Sequence, residues 1–385
     1  MRIDASHKEI LNGKTTDIYF QRAEEILKKE KRNPVVTAEV YARKLPFNYK
    51  WAIFSGISEM VELFKGKKID IQALPEGSVF FEKEPVLTIQ GKYLDFAKFE
   101  TPLLGYICQA SGISTKAARC KISAEGRTVL SFGARRMHPA ITPVIDRYAY
   151  MGGIDGVSAV LSSKKLNMEA QGTIPHSVII IMGDTLKPAI AYENAIPGGV
   201  PRIILVDTFG DEKIETIRLA EKLKNKLDAV RVDTPGSRRG NLSEIVREIR
   251  EELDNRGFNN IGIFVSGGLD EFSLPELNPW VNGYGIGTSL SNAPTINFSM
   301  DIVEIEGKLI TKKGKIAGKK DIFECQRCAA RAVVLSDSDE VKCQCGNKME
   351  ALTKPIMKKG RITEKTENVD EIRNRVISQL RFLNV

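Results

Sequence analysis

The most specific chemical pattern in the sequence is a cluster of cysteines toward its C-terminal end. Two close pairs form the cluster: Cys325 with Cys328, and Cys343 with Cys345. Four thiolates presented from two turns are the ligand set of a tetrahedral structural zinc site. We therefore predict bound Zn²⁺, with four free thiols as the alternative. The other two cysteines, Cys108 and Cys120, have apolar neighbours and are expected to be core thiols.

Two glycine-rich segments could bind an anion through their backbone. They are Ser266-Gly267-Gly268 and the segment from Gly283 to Thr288, which contains Gly285 and Gly287. Glycines let backbone N–H groups turn toward a negative charge, and a helix that follows adds its positive end. One such segment is more often a plain turn. Two of them after neighbouring predicted strands favour a phosphate site.

Charged side chains lie at comparable positions in other predicted strands. Arg135 and Arg136 follow one strand, where an arginine could bind carboxylate or phosphate with two N–H groups. Arg231 lies inside an apolar strand and needs an anionic partner, and Asp233 could form a structural ion pair with it. Asp207 and Asp233 could also hold Mg²⁺, bind ribose hydroxyls or stabilise a cationic transition state.

His176 is one of three histidines, with His7 and His138. It lies in a polar loop that begins at Gly172 and ends at Ser177. A lone histidine is commonly structural, but the polar loop makes a catalytic or nucleophilic role an equal alternative.

The hydrophobic pattern predicts the elements that must position these residues. Before residue 115 it predicts mixed helices and strands, including a helix over 96–118 that is broken near Gly112. From residue 128 short apolar runs alternate with amphipathic helices, which predicts a parallel α/β sheet, either doubly wound or closed into a barrel. The predicted strands are 128–132, 178–182, 202–207, 229–233, 261–266 and 283–286.

Two further patterns concern helices and the placement of the chemistry. Apolar residues from Leu242 to Leu253 form a single stripe, and Asn241 with Glu244 resembles a capping pair at its start. Most of the candidate catalytic and binding residues directly follow predicted strands, at their carboxyl ends. α/β enzymes carry their functional loops at this position. An enzyme is therefore favoured over a structural protein.

Composition narrows the class of protein. The chain has 385 residues, of which 42% are hydrophobic and 28% charged, values typical of a globular protein of two or three domains. The net charge of +8 suits an anionic ligand as well as nucleic acid. The longest apolar run is too short to span a bilayer, and the N-terminus lacks a signal-peptide pattern. We expect a cytoplasmic protein without a membrane partner.

Taken in order, the motifs resemble the nicotinate phosphoribosyltransferase family in its archaeal type, whose type II fold is shared with quinolinate phosphoribosyltransferase. The resemblance extends from about residue 10 to 295. The matching segments are Thr16-Asp17-x-Tyr19, Glu100-Thr101-Pro102-Leu103-Leu104, Phe132-Gly133-Ala134-Arg135-Arg136, Gly172-Thr173 with His176-Ser177, Val206-Asp207-Thr208, Arg231-Val232-Asp233, Ser266-Gly267-Gly268 and Gly285-Ile286-Gly287-Thr288.

The resemblance implies a fold of mixed α/β and α+β character. An N-terminal open-faced α/β sandwich is expected at 1–114, completed by 296–320 and 354–385. An irregular α/β barrel with the catalytic site is expected at 115–295. The cysteines place a small zinc-knuckle-like module at 321–353.

The resemblance also implies an activity. Nicotinate and 5-phosphoribosyl 1-pyrophosphate (PRPP) would give nicotinate mononucleotide and pyrophosphate in NAD biosynthesis or salvage. His176 matches the histidine that ATP phosphorylates, Mg²⁺ would neutralise the leaving pyrophosphate, and Asp207 and Asp233 would stabilise the ribosyl cation. Nicotinate would be bound by Tyr19, Phe132, Arg135 and Arg231. PRPP would be bound by Arg136, Thr173, Thr208, Ser266, Gly267, Gly268, Gly287 and Thr288. Tyr19 would reach the pyridine ring across the interface of a homodimer, or of a higher homo-oligomer built from it.

One motif departs from the family, and two alternative functions stay open. The family's R-x-D-S-G-D is here Arg231-Val232-Asp233-Thr234-Pro235-Gly236, for which Ser237, Arg238 and Arg239 could compensate. A decarboxylating quinolinate phosphoribosyltransferase would share the fold. A nucleic-acid-binding zinc module is the distant alternative, because the cysteine segment has few cations and no aromatic stacking platform. We therefore expect no nucleic-acid partner.

Overall fold

The described residues of the computed structural model are 3–237, 240–336, 338, 340–363 and 367–385. Arg238 and Arg239 lie outside them. The helices are α1 (His7–Leu11), α2 (Ile18–Lys29), α3 (Ile57–Met60), α4 (Tyr93–Phe96), α5 (Glu100–Ser123), α6 (Thr142–Met151), α7 (Val160–Lys165), α8 (His176–Met182), α9 (Leu186–Ala195), α10 (Glu212–Leu223), α11 (Leu242–Asn255), α12 (Leu274–Leu277), α13 (Thr288–Ser291) and α14 (Val369–Leu380). The strands are β1 (Val35–Ala42), β2 (Ala52–Ile53), β3 (Ile69–Ala73), β4 (Val79–Phe80), β5 (Pro85–Lys92), β6 (Thr128–Ser131), β7 (Gly156–Val157), β8 (Ile203–Leu205), β9 (Ala229–Val232), β10 (Gly262–Ser266), β11 (Gly283–Ile286), β12 (Phe298–Ile305), β13 (Lys308–Leu309), β14 (Lys320–Cys325), β15 (Arg331–Leu335), β16 (Met349–Ala351), β17 (Lys354–Lys358) and β18 (Arg361–Ile362).

The chain divides into two compact units. The first contains Met1–Thr115 and Pro294–Val376, and the second contains Lys116–Ala293 and Ile377–Val385. Among the described residues, no helix is both long and apolar enough to cross a membrane.

An antiparallel sheet forms the framework of the first unit. Its strand order is β13-β12-β1-β5-β3-β17-β18. Because side chains alternate along a strand, β1 directs Val36, Ala38 and Val40 into the core, while Glu39 and Tyr41 alternate with them and form polar contacts. Strands β12 and β13 pair as an antiparallel hairpin around Glu306-Gly307.

Helix α5 runs through Gly112 without a break, so the predicted interruption is wrong. A Cβ at Gly112 would lie 2.3 Å from the carbonyl oxygen of Pro294. The glycine is therefore required by the close approach of another backbone segment, and the helix continues through it. A glycine within a helical pattern can mark a break in the helix or a close approach of another segment, and the local sequence does not distinguish the two.

A parallel sheet forms the second unit, as predicted. Its strand order is β7-β6-β11-β10-β9-β8 within the described part of the chain, and every pairing is parallel. Predicted strands 128–132, 202–207, 229–233, 261–266 and 283–286 all contain an observed strand. Closure into a barrel stays a prediction.

The predicted strand over 178–182 is wrong, because these residues belong to helix α8. The helix ends at Gly183, which adopts φ +68° as its left-handed cap. Only Ile179 of the helix is buried, whereas Ile180 and Ile181 are exposed. A short apolar run is compatible with a buried strand, but one face of this run is open, which is the pattern of a short surface helix.

Helix α11 has the predicted amphipathic structure. Val246, Ile249 and Leu253 are buried, and the Asn241 side chain accepts a hydrogen bond from the N–H of Ser243. Charged side chains pair along its outer face, for example Arg247 with Glu244 and Glu251.

Candidate functional site

A cleft of about 310 Å³ lies at the carboxyl ends of the parallel strands of the second unit. Its lining combines arginines, glycine turns and hydroxyl side chains, in other words groups that bind anions. The lining residues are Phe132, Arg135, Arg136, Arg231, Asp233, Ser266, Gly267, Gly268, Leu269, Asp270, Gly285, Gly287, Thr288 and Ser289. Because carboxyl ends of adjacent parallel strands share one edge, segments far apart in sequence meet here.

Arg231 is the centre of a hydrogen-bond network in this cleft. Its Nε donates to Ser266 Oγ at 2.8 Å, Nη1 donates to Thr173 Oγ1 at 2.9 Å, and Nη2 donates to Asp233 Oδ2 at 2.9 Å. Ser266 Oγ in turn donates to the other oxygen of Asp233 at 2.6 Å. The side chains of Arg231 and Asp233 are only 14% and 18% exposed. The anionic partner expected for Arg231 is therefore Asp233, and the pair lies on the cleft surface.

Phe132 fixes the other side of the same guanidinium. The carbon of the Arg231 guanidinium lies 5.0 Å from the centre of the Phe132 ring, a cation–π contact. The ring also lies against β11, where a Cβ at Gly285 would be 2.3 Å from ring atoms. Gly285 thus makes room for an aromatic face in the cleft.

Arg135 and Arg136 form a short 3₁₀ turn, Ala134–Arg136, after β6. Both side chains are exposed, and within the described ranges neither has an ion-pair partner. Arg231 differs, because most of its N–H groups already donate hydrogen bonds within the protein. Two unpaired guanidinium groups at a cleft mouth can bind carboxylate or phosphate.

The two glycine turns are joined to each other by a hydrogen bond. Gly267 and Gly268 adopt φ values of +93° and +74°, a conformation that other residues rarely adopt. Leu269, the next residue, accepts a hydrogen bond through its carbonyl from Ser289 Oγ at 2.8 Å. The turn after β10 and the start of α13 therefore form one continuous wall of the cleft.

His176 and Asp207 form a second polar pair. His176 Nε2 lies 3.1 Å from Asp207 Oδ1, and their side chains are 38% and 2% exposed. Burial raises the pKa of Asp207, His176 opposes this effect, and Asp233 adds to it. A buried carboxylate that orients an exposed imidazole is a common arrangement for a histidine that exchanges a proton or a phosphoryl group. The histidine lies in the first turn of α8 and not before a strand.

Three predicted binding residues are absent from this lining. Thr173 is joined to it through its hydrogen bond with Arg231. Thr208 follows Asp207, and its Oγ1 is buried without a hydrogen-bond partner among the described residues. Tyr19 belongs to the first unit, on α2, where its ring is 56% exposed and lies 4.4 Å from that of Phe20. The roles of all three residues stay predictions.

The four clustered cysteines converge as predicted. Their Sγ atoms all lie within 4.8 Å of one another, and none is in a disulfide. Pairs of Sγ atoms are 3.5 Å apart for Cys325 and Cys345, and 3.4 Å for Cys328 and Cys343. Zinc–sulfur bonds of about 2.3 Å place tetrahedral ligands about 3.8 Å apart, so the cluster has the dimensions of a metal site.

Local structure explains how the cysteines converge. The first pair begins at the end of β14, and the second lies in a turn that ends at Gly346, with φ +85°. The side chain of Asn347 donates to Cys345 Sγ at 3.2 Å, and hydrogen bonds from Asn347, Cys343 and Cys325 lower the pKa of Cys345. The pKa of Cys343 is raised instead, because its thiol shares a proton with Cys328 and Cys345. A thiol that ionises readily, such as that of Cys345, favours metal binding.

Sequence reasoning missed several lining residues and one buried cluster. Leu269, Asp270 and Ser289 simply continue the predicted turns, so extending each motif by a residue or two would have found them. The missed cluster joins Glu271 to Lys116 and Arg119. Its available signal was a pair of cations one turn apart in an otherwise apolar helix.

Comparison with known protein families gives two adjacent matches. The N-terminal domain of quinolinate phosphoribosyl transferase matches residues 17–111, and the C-terminal domain of the same enzyme matches residues 113–301. The two matches together include the cleft and both polar pairs.

Curated relatives carry a related name. Nicotinate phosphoribosyltransferase pncB2 of Mycobacterium tuberculosis is 28% identical, over 80% of this chain and 74% of its own. Nicotinate phosphoribosyltransferase of Bacillus subtilis is 25% identical, over 71% of this chain and 63% of its own.

Solved structures resemble the whole chain. Nicotinate-nucleotide pyrophosphorylase from Pyrococcus furiosus is 44% identical, with a TM-score of 0.97 over 100% of this chain and 99% of its own. Human nicotinic acid phosphoribosyltransferase is 20% identical, with a TM-score of 0.76 over 96% and 94% of the two chains, a likeness of fold.

Proposed function

Because the chain belongs to the quinolinate phosphoribosyltransferase family, we propose that it is a phosphoribosyltransferase that converts nicotinate and PRPP to nicotinate mononucleotide and pyrophosphate. The observation that carries the proposal is the cleft in which three arginines and two glycine turns meet. Such a cleft suits a substrate pair that bears a carboxylate, a phosphate and a pyrophosphate. The names of the curated relatives support nicotinate as the acceptor.

Different residues of the cleft lining would bind different parts of the two substrates. The turns at Ser266–Gly268 and Gly287–Thr288 would hold the 5′-phosphate through backbone N–H groups and hydroxyls. Arg135 and Arg136, whose guanidinium groups are unpaired in the described structure, would bind the carboxylate of nicotinate and the pyrophosphate of PRPP. Arg231, held by Asp233, Ser266 and Thr173, would present its remaining N–H groups and the Phe132 ring to the pyridine.

The chemical step needs charge stabilisation more than proton transfer. The bond from C1′ to the pyrophosphate oxygen breaks, and the pyrophosphate leaves with the electron pair. The lone pair of the pyridine nitrogen forms the new bond to C1′. Asp207 and Asp233 would stabilise the positive charge that develops on the ribose, and the arginines would stabilise the leaving group.

Mg²⁺ is the cation implied by the family, and the residues present fit it in part. Both oxygens of Asp233 already accept hydrogen bonds, from Arg231 and Ser266, so Asp233 is a poor ligand. Asp207, with one oxygen on His176, would be the protein ligand, and substrate pyrophosphate oxygens would complete the set. The ion would supply charge neutralisation at the leaving group.

We further propose that ATP hydrolysis is coupled to the reaction through His176. With the Nε2 proton donated to Asp207, the lone pair of Nδ1 is available to attack the γ-phosphorus of ATP. The nitrogen–phosphorus bond forms as the bond to ADP breaks. Water later cleaves the phosphohistidine and releases phosphate.

Two structural features belong to the proposal as well. The four cysteines would hold a structural Zn²⁺, because their spacing and the turn geometry match four-thiolate coordination. The exposed ring of Tyr19 would stack on the pyridine ring of a second copy, so that the active protein is a homodimer with composite sites. This would account for a large aromatic side chain left in solvent on the first unit.

Quinolinate phosphoribosyltransferase is the second candidate, favoured by the family match and by the name of the Pyrococcus furiosus structure. Its substrate carries a second carboxylate, on the ring carbon beside the nitrogen. After ribosyl transfer this carboxylate leaves as carbon dioxide, the electron pair stays on that carbon beside the positively charged nitrogen, and a proton from solvent takes the place of the carboxylate. That reaction needs no phosphoryl acceptor such as His176, and for this reason we place it second.

Product analysis separates the two. The protein is incubated with PRPP and either nicotinate, nicotinamide or quinolinate, with and without ATP. We expect nicotinate mononucleotide and pyrophosphate from nicotinate, with ADP and phosphate formed when ATP is present. Carbon dioxide release from quinolinate without turnover of nicotinate would replace the proposal by the second candidate.

A further inference from the structure

A buried ion cluster lies directly beyond the glycine turn that follows β10. The Glu271 carboxylate, in a residue 1% exposed, accepts hydrogen bonds from Lys116 Nζ at 2.6 and 2.8 Å and from Arg119 Nε at 3.3 Å. Lys116 and Arg119 are each 5% exposed and lie one turn apart on α5. All three residues belong to the second unit. Charged groups this deeply buried are costly and are kept only where they are paired.

The cluster anchors the far end of the loop that follows β10, whose glycines are held in place by contacts on both sides. Gly267 and Gly268 both adopt positive φ values, and glycine has the greatest backbone freedom of any residue. The near end is fixed because Ser266 binds both Arg231 and Asp233. The middle is fixed at Leu269 by the hydroxyl of Ser289. At Asp270 the carboxylate accepts N–H groups of Phe272 and Ser273, so it is used within the loop.

We propose that Glu271 is a positioning residue that, through Lys116 and Arg119, fixes the glycine turn for the 5′-phosphate of PRPP. It does not touch the substrate and acts through the backbone of residues 267–270. This inference rests on the proposed phosphoribosyl transfer and adds a group behind the phosphate site that the reaction depends on.

The test uses the whole protein with Glu271→Asp, which keeps the charge and shortens the side chain by one methylene. We expect the KM for PRPP to rise about tenfold, the KM for nicotinate to stay constant and kcat to change by less than about threefold. Phosphate contacts are equal in ground and transition states, so their loss appears in KM. The Kd for PRPP, measured by calorimetry, should weaken by the same factor.

Lys116→Gln is the second variant, since it replaces the closer donor of Glu271 and keeps both the carboxylate and Arg119. It should raise the KM for PRPP in the same direction. The control is Leu253→Ala on α11, in the same unit, which removes buried volume without touching the loop. It should lower Tm and leave the KM for PRPP unchanged.

Each outcome has a distinct meaning. An unchanged KM for PRPP in folded, active Glu271→Asp and Lys116→Gln proteins overturns the positioning role alone. An equal rise in the KM for PRPP in Leu253→Ala would also overturn the positioning role, since any loss of core packing in this unit would then weaken PRPP binding. Absence of PRPP-dependent turnover or binding in the wild-type protein removes the proposed function, and this inference with it.

Discussion

The Arg231 side chain connects three segments of the candidate site by three separate donors. A guanidinium can do this because its N–H groups point in fixed, different directions in one plane. A lysine carries the same charge, but its single nitrogen cannot reach Ser266, Thr173 and Asp233 together.

Arg231→Lys should therefore lower kcat/KM for nicotinate about a hundredfold, because charge is kept while the network is lost. Steady-state kinetics measures the effect. Arg247→Lys is the matched control, since Arg247 also donates to more than one side chain, in its case Glu244 and Glu251 on the outer surface of α11. Equal kinetics in both variants would contradict a role for the network in the reaction.

His176 offers a second test at the scale of one residue. His176→Ala should abolish PRPP-stimulated ATP hydrolysis and keep a measurable ATP-independent transfer, because the phosphoryl acceptor is lost while the cleft stays intact. Release of phosphate from ATP and formation of nicotinate mononucleotide are measured in parallel. His138→Ala is the control and should keep both activities, because His138 is exposed and its Nδ1 accepts the N–H of Ala140. Undiminished ATP hydrolysis in His176→Ala would refute the phosphohistidine.

At the scale of elements, α5 contains two glycines with opposite expectations. A Cβ added at Gly105 would meet no atom of another segment within 4 Å, whereas one added at Gly112 would lie 2.3 Å from the backbone of Pro294. Gly105→Ala should stabilise the protein by up to about 1 kcal/mol through helix propensity. Gly112→Ala should destabilise it by at least about 2 kcal/mol, since backbone must move. Denaturant unfolding measures both, and equal effects would contradict the close packing.

The carboxyl group of Glu100, the first residue of α5, should make the stability of the protein depend on pH. Burial, Asp301 and Asp17 raise the pKa of Glu100 to about 7, and Lys312 opposes them. The folded state thus holds this proton more tightly than the unfolded state, so the contribution is complete below pH 4.5 and disappears as pH rises through about 7. Glu100→Gln stays neutral, so wild type should lose about 2 kcal/mol relative to this variant between pH 5 and pH 8, once solvent screening is allowed for. Thermal unfolding across this range measures the difference, and parallel Tm curves would contradict the raised pKa.

Elements also show which sequence patterns are sufficient for prediction. Helix α11 is predictable because a long apolar stripe and a capping residue agree. The run from Val178 to Met182 is too short for periodicity to separate strand from helix, and the exposure of Ile180 and Ile181 decides it. Gly112 is ambiguous because a helix-breaking signal and a close-packing requirement look alike in one sequence.

At the scale of the whole molecule, the hydrophobic pattern predicts the strands of the parallel sheet but not their order. The position of β11 between β6 and β10 brings Phe132 beside Gly285 and Ser289 beside Leu269. These contacts join segments more than a hundred residues apart or in different loops, and no local pattern contains them. The charged cleft can be predicted because most of its charged and polar residues directly follow predicted strands. The Glu271 cluster cannot, because it depends on which part of α5 packs against the loop after β10.

The last prediction concerns the cysteine module, residues 321–353. Its core is too small to be stable by burial alone. Its three strands enclose a small core of Cys325, Cys343 and Met349, against which Phe323, Ala332 and Val341 pack, so we expect a bound metal to supply most of the local stability. Arg331 attaches the module to the rest of the first unit through Glu84 and the carbonyl of Val79, and those contacts do not depend on metal.

We expect about one zinc per chain, and we expect Cys343→Ser to lose the zinc and expose residues 325–351 to rapid hydrogen exchange while the parallel sheet keeps its protection. Metal analysis and hydrogen exchange measure the two effects. Cys108→Ser, outside the cluster, should keep its zinc and serves as the control. A folded, zinc-free wild-type protein with a protected module would contradict metal binding, since four free thiols would then suffice to hold the strands together.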